Sequence, residues 1–175
     1  MTTTQGTASA VGAVLLFWIV GAYNRLVRLR SELAARFGAV DERHRQRHAL
    51  LDSQLALLAT ALAAAGPRLD ALRAACGQAD TAREHARARP ASESALTSLR
   101  VTEEILSEAR SRLPVQAVVG AELPELNARL ATSDSALAFA RAEFNAAVAA
   151  YNEALRQFPT VIVARAFNFR RAGAF

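Results

Sequence analysis

The chain is poor in cysteine, glycine and aromatic side chains, and each shortage closes off a class of structure. One cysteine in 175 residues, Cys76, excludes an internal disulfide and any cysteine-based metal cluster. It fits a reducing compartment and reads as a small buried side chain. Eight glycines and 6% aromatics, beside abundant alanine, leucine, arginine and glutamate, are the composition of long helices. No segment alternates polar and apolar residues over the length of a strand, so no sheet is expected. There is no Gly-rich phosphate loop, no Gly-x-Ser-x-Gly elbow and no Cys/His pairing, so nothing supports an enzyme or a cofactor. The net charge of +5 is carried by arginines spread along the chain. That suits solubility beside an anionic leaflet and is too dispersed for a nucleic-acid groove.

Asp, Glu, Lys, Arg and His are all missing from Thr2 to Asn24. Val11 to Tyr23 is almost wholly apolar, and Arg25, Arg28 and Arg30 follow at once. A single-pass membrane helix needs about 20 mostly apolar residues, which Ala8 to Val27 supplies if Arg25 snorkels outward. No second run of this kind occurs, which predicts one span with the remaining chain in water. Arginines on the C-terminal flank, against a terminal amine alone upstream, place the bulk of the chain on the cytoplasmic side of the inner (cytoplasmic) membrane. The competing reading is a cleaved signal peptide, with Val20 and Ala22 before the cut. It lacks the positive n-region of secretory signals, and the helical pattern runs straight through the cut site.

Beyond the membrane, Leu26, Leu29, Leu33, Phe37, Val40, His44, His48, Leu51, Leu55, Leu58 and Leu62 recur at threes and fours. They form one face of one helix reaching about Ala65, where Gly66-Pro67 ends it. A second helix, Pro67 to about Ala88, has a thin face of Leu69, Leu72, Cys76, Ala79 and Ala86, and Pro90 stops it. Ser92 is the expected N-cap of a third helix carrying Leu96, Leu99, Leu106 and Leu113, closed by Pro114. The apolar connection from Pro114 to Ala121 is expected over the end of the bundle. A fourth helix, about Glu122 to Gln157, carries Leu123, Leu126, Leu130, Leu137, Ala140, Phe144, Val148, Tyr151, Leu155 and Phe158, and Pro159 ends it. The expected fold is all-α: a single N-terminal transmembrane helix continuing into an antiparallel four-helix bundle.

His44 and His48 lie one turn apart on the apolar stripe, a spacing that can hold a metal. Further ligands would have to come from another helix, and no Glu follows His44 in the order a zinc peptidase needs. The plainer expectation is two semi-polar core residues, with a metal-dependent enzyme or metal-binding protein using His44 and His48 the alternative function. Glu103-Glu104 and Asp41-Glu42 are adjacent in sequence and point to different helix faces, so they are expected to be solvated. The stretch Arg83-Glu-His-Ala-Arg-Ala-Arg89 reads as a solvated face, with a polyanion-binding patch as the sharper alternative.

Two blocks resemble a known family. Tyr23-Asn24-Arg-Leu26-Val27-Arg-Leu29-Arg30, followed by Phe37, Asp41 and Arg47, resembles the start of LemA-family proteins, with their "YNxLVxLR" after a membrane helix. Ala138-Phe139-Ala140-Arg141, Phe144-Asn145, Val148, Tyr151-Asn152, Phe158-Pro159, Phe167 and Phe169 resemble the family's "AFARRxYNxAVxxYNxxIxxFPxNxxAxxFGF" ending. Here Phe37 stands where the pattern usually has tryptophan, Asp52 where it has proline, and His44 and His48 where it has leucine and tyrosine. Asn168 replaces the glycine of the final motif. The resemblance implies a single-pass membrane protein with a helical bundle and no established enzymatic activity. A related branch is associated with magnetosome membranes, which implies a role in membrane organisation.

Three regions follow: 1–24 as tail and transmembrane helix, 25–159 as the LemA-like bundle, and 160–175 as a basic-aromatic tail. The expected partners are the lipid bilayer and other membrane or envelope proteins, with a homo-oligomer left open and nucleic acid not among them. In the tail, Arg165, Arg170 and Arg171 alternate with apolar residues and no acid. With Arg25 and Arg28 they suit a membrane interface; docking of the phenylalanines on the bundle is the alternative. If Tyr23 lies level with Phe158, residues of helices one and four whose numbers sum to about 181 meet. That pairs Asp41 with Arg141 and Arg47 with Asp134.

Overall fold

The computed structural model describes residues 2–61, 66–113 and 122–175. Leu62 and the connection 114–121 lie outside them. The elements are α1 (Thr2–Ala61), α2 (Gly66–Ala88), α3 (Glu93–Ser111), α4 (Glu122–Ala154) and α5 (Thr160–Ala166), with no strand among the described residues. Two of the expected breaks are in place: α2 ends before Pro90, and the Ser92 hydroxyl accepts from the Ala95 amide at 3.4 Å to cap α3. Gly66, expected to cap the first helix, instead opens α2, and α4 stops at Ala154, short of Gln157. The expected helix end near residue 65 and the expected break at Pro114 lie outside the described residues.

α1 is one 60-residue helix, on the order of 90 Å long. Its first part is largely exposed, at Val14, Leu15, Leu16, Phe17 and Val20 among others; it is long and apolar enough to cross a membrane. From Leu26 the stripe turns inward, and Leu33, Phe37, Val40, His44, His48, Leu51, Leu55 and Leu58 are buried.

Cross-helix pairs fix the topology. Arg25 reaches Gln157, Arg36 Glu143, Arg47 Asp134 and Gln54 Asn127, so α4 runs antiparallel to α1, with partner numbers summing to 179–182. α2 is antiparallel to α1 as well, through Asp41–Arg83 and His48–Asp80. α3 runs parallel to α1: Arg47 meets Glu103 and Gln54 meets Arg110, both 56 positions apart. The result is an up-down-up-down bundle.

Two apolar cores fill it. The core nearer the apolar N-terminal run holds Leu26, Phe37, Leu96, Phe144 and Tyr151, with the Phe37 and Phe144 rings edge to face at 5.6 Å. The distal core is leucine and small residues: Leu51, Leu58, Leu72, Cys76, Ala79, Leu106 and Leu130.

After a cis Phe158–Pro159 peptide, α5 buries Val163 and Ala164, and Asn168 at φ 54° turns the chain back. Asparagine tolerates this left-handed conformation. Residues 169–175 then climb along α4. Asn152 bonds both the N–H and C=O of Ala172 (2.9 Å each), Asn145 does the same for Phe175 (2.9 and 3.4 Å), and the Tyr151 hydroxyl donates to the Arg170 carbonyl. The tail's aromatic residues therefore dock on the bundle: Phe175 stacks on Phe37 and meets Phe144, while Phe167 and Phe169 meet Tyr23. Arg165, Arg170 and Arg171 remain exposed. Phe158, expected on the buried stripe, is 80% exposed, because α4 ends at Ala154 and the turn swings it out toward Trp18.

Candidate functional site

Between the two cores lies a layer of buried charge built from all four long helices. At its centre is Glu103 of α3, an expected solvated carboxylate that is in fact buried. Adjacency to Glu104 did put the two on different faces; Glu103 took the inner one. One oxygen accepts from Arg47 at 2.6 Å, and the other lies 3.0 Å from His48 Nε2 and 3.1 Å from His44 Nδ1. Arg47 also donates to Asp134 of α4 at 2.6 Å, while His48 Nδ1 reaches Asp80 of α2 at 2.8 Å. Asp80 and Asp41 share Arg83, at 3.3 and 2.7 Å.

The expected pair Arg47–Asp134 forms; Asp41–Arg141 does not. Asp41 faces α2, where Arg83 and Arg87 reach it, so the Arg83–Arg89 stretch is only partly a solvated face. Arg141 turns inward to donate to His44 Nε2 at 3.3 Å and lies over the Phe175 ring at 5.0 Å. The α4 motif residues Asn145, Tyr151 and Asn152 hold the tail, whereas Phe139 is exposed. Tyr23 contacts the tail's phenylalanines, Pro159 is the cis proline, and Asn24, Arg28 and Arg30 are exposed.

The protonation states follow from these contacts. Burial pushes the Glu103 pKa up, but the close approach of the His44 ring, the hydrogen bond with His48 and the charge of Arg47 overcome it and hold the carboxyl well below its usual range. Burial works against a charged His48, yet two carboxylate partners raise its pKa, so both ring nitrogens donate. Burial dominates at His44 and lowers its pKa. With Arg141 donating to Nε2, the neutral His44 carries its proton on Nδ1. That atom is close to Glu103 but off line, and makes no hydrogen bond.

Three donor atoms, from His44, His48 and Glu103, lie within 4.8 Å of one another. The surroundings suit a cation at His48, whose other nitrogen is bonded by Asp80, as a metal ligand's usually is. They oppose one at His44, whose Nε2 would have to carry a proton toward the Arg141 guanidinium. Chemically the layer is an ion network that fixes helix register: a buried charge stripped of its partner costs about 3–5 kcal/mol, so slipped packings are penalised.

A search of family models gives a match to the LemA family over residues 58–175, which includes α3 with Glu103 and the whole asparagine clamp. The chain belongs to the LemA family. No curated protein and no solved structure gives a significant match. LemA membership supports a membrane-associated helical protein of unknown function. Within this LemA protein the clamp explains the spacing of Asn145 and Asn152: seven residues, two turns of one face, matched to Phe175 and Ala172 of the returning tail. The buried role of Glu103 carries no sequence motif; its place on the α3 stripe, between Leu99 and Leu106, is the one signal that could have found it.

Proposed function

We propose that this LemA protein is a single-pass membrane protein whose bundle stands on the cytoplasmic side as a non-enzymatic scaffold or adaptor. The observation that carries the reading is the continuity of α1: one helix is both the exposed apolar rod and the central strut of the bundle. Such a strut holds the bundle at a fixed angle to the bilayer. The arginines at 25, 28 and 30 set the orientation. A reporter joined through a flexible linker after Phe175 is expected to be active in the cytoplasm; activity on the other side overturns the orientation. For the scaffold role, a photocrosslinking side chain placed at the exposed Phe139 should give a discrete protein adduct in native membranes. Absence of any adduct overturns that role.

One observation favours a metal-binding protein as a second reading: the buried, unbonded His44 Nδ1 facing Glu103 and His48. Elemental analysis of purified protein separates the two, since stoichiometric zinc or iron upholds metal binding and metal-free protein that is fully folded removes it.

A further inference from the structure

Most arginines of the described bundle have a partner: Arg36, Arg47, Arg73, Arg83, Arg110 and Arg112 all sit in ion pairs. Four that share one cleft do not. Arg30 of α1, Arg89 at the end of α2, and Arg170 and Arg171 of the tail line a cavity of about 790 Å³, with Ser92, Glu93 and Ser94 at the start of α3. Among the described residues none of the four has an ion pair or a side-chain hydrogen bond. Glu93 is the cleft's single carboxylate, so the lining carries a net +3.

Like charges held together need an external restraint, and packing supplies it. The Gly173 amide bonds the Ala91 carbonyl at 3.3 Å, and a Cβ on Gly173 would come within 2.5 Å of the Glu93 backbone. With the Tyr151–Arg170 bond, this pins the two tail arginines beside Arg30 and Arg89. The Glu93 and Ser94 amides, the first of α3, have no hydrogen-bond partner among the described residues, as helix starts leave them.

We propose that this cleft binds a phosphate group, presented by an anionic phospholipid headgroup. Guanidinium forks match phosphate oxygens bidentately. The height is right: Arg30 is three residues, about 5 Å of helix rise, past the end of the apolar run at Val27. The lipid source rests on the membrane placement proposed above; the phosphate chemistry does not.

The test uses the full chain in phosphatidylcholine nanodiscs, with hydrogen exchange of residues 92–96 and 170–173 as readout. One arm adds inorganic phosphate; the other replaces part of the lipid with phosphatidylglycerol. Slowed exchange with phosphatidylglycerol alone assigns the headgroup, and slowing with inorganic phosphate assigns a free phosphate; both uphold the site. Replacing Arg30, Arg89, Arg170 and Arg171 by Gln should weaken the apparent affinity at least tenfold. The same change at Arg68, Arg73, Arg100 and Arg112 should leave it within twofold. Should the cleft variant not fold, Arg89→Gln alone should weaken binding at least threefold. No slowing in either arm, or an equal loss in the control variant, overturns the proposal. An outward-facing reporter would overturn the topology while leaving the phosphate arm standing.

Discussion

Below the charged layer the core is aromatic and tied by asparagine side chains to the returning tail. Above it the core is leucine, alanine and one cysteine. The proximal half has several independent locks: the Phe37–Phe144–Phe175 ring cluster, the Asn145 and Asn152 clamps, and Gly173 against Glu93. The distal half has apolar packing, which tolerates slippage, and the Gln54–Asn127 and Gln54–Arg110 bonds. Its register therefore depends on the layer beneath. The contrast shows why a chain with few aromatics concentrates them where the tail docks, and why it spends four helices' worth of charge at mid-height.

The sharpest test of that dependence is Glu103→Ala. It leaves Arg47 and His48 without their shared carboxylate, and about 3–5 kcal/mol of stability should be lost. Denaturant unfolding in micelles measures the loss, and hydrogen exchange should show residues 104–111 of α3 opening before residues 93–99. Opening of both together would break the comparison.

Phe144→Ala should cost about 3–5 kcal/mol and Leu58→Ala about 2–5, with a second difference in kind. The Phe144 change removes the partner of Phe175 and should release the tail, seen as proteolysis after Arg170. The Leu58 change should leave the tail docked. Gly173→Ala, which forces a methyl into the Glu93 backbone, should cost about 1–3 kcal/mol and also free the tail, without disturbing the distal half.

Acidity acts on the layer and so on the distal half first. His48, with its pKa raised above 6.5, contributes stability that is full below pH 6.5 and fades as pH rises through its folded value. His44, shifted down, does the reverse and withdraws stability as pH falls below 6.5. Glu103 contributes above pH 4.5 and loses that contribution as pH falls through its folded value. His48→Gln should therefore be less damaging at pH 9 than at pH 6. His44→Leu, the residue of the family pattern, should flatten the loss between pH 6.5 and 5. Melting curves across pH check both, and identical profiles for the variants and the parent would refute the assignment. The smallest expected effect is the coupling of Arg47 with Asp134, about 1 kcal/mol in a double-mutant cycle, because Asp134 is half-exposed. The same cycle on Asp41 and Arg141 should give nothing.

The helices, the break at Pro90 with the Ser92 cap, the apolar N-terminal run and the α1–α4 register were legible in the chain. Each is one-dimensional: periodicity of 3.6 marks the inward face, and the height match of two antiparallel helices follows from counting. The same counting paired Arg47 with Asp134 correctly and Asp41 with Arg141 wrongly, because height says nothing about which neighbour lies on which side. Asp41 looks toward α2, so Arg83 takes it, and Arg141 is left to His44. Glu103 sits on the α3 stripe between Leu99 and Leu106, but that place alone does not bury a carboxylate, since its burial depends on Arg47, His48 and His44 of α1 arriving at the same level. The tail's docking, too, was one of two readings until Asn145 and Asn152 met its peptide groups. Sequence by itself determined what is local, namely helix faces, breaks and the membrane-length run. The arrangement of helices around the bundle axis decided which charges are buried and which partner each one keeps, because long-range electrostatics is a property of neighbours in space.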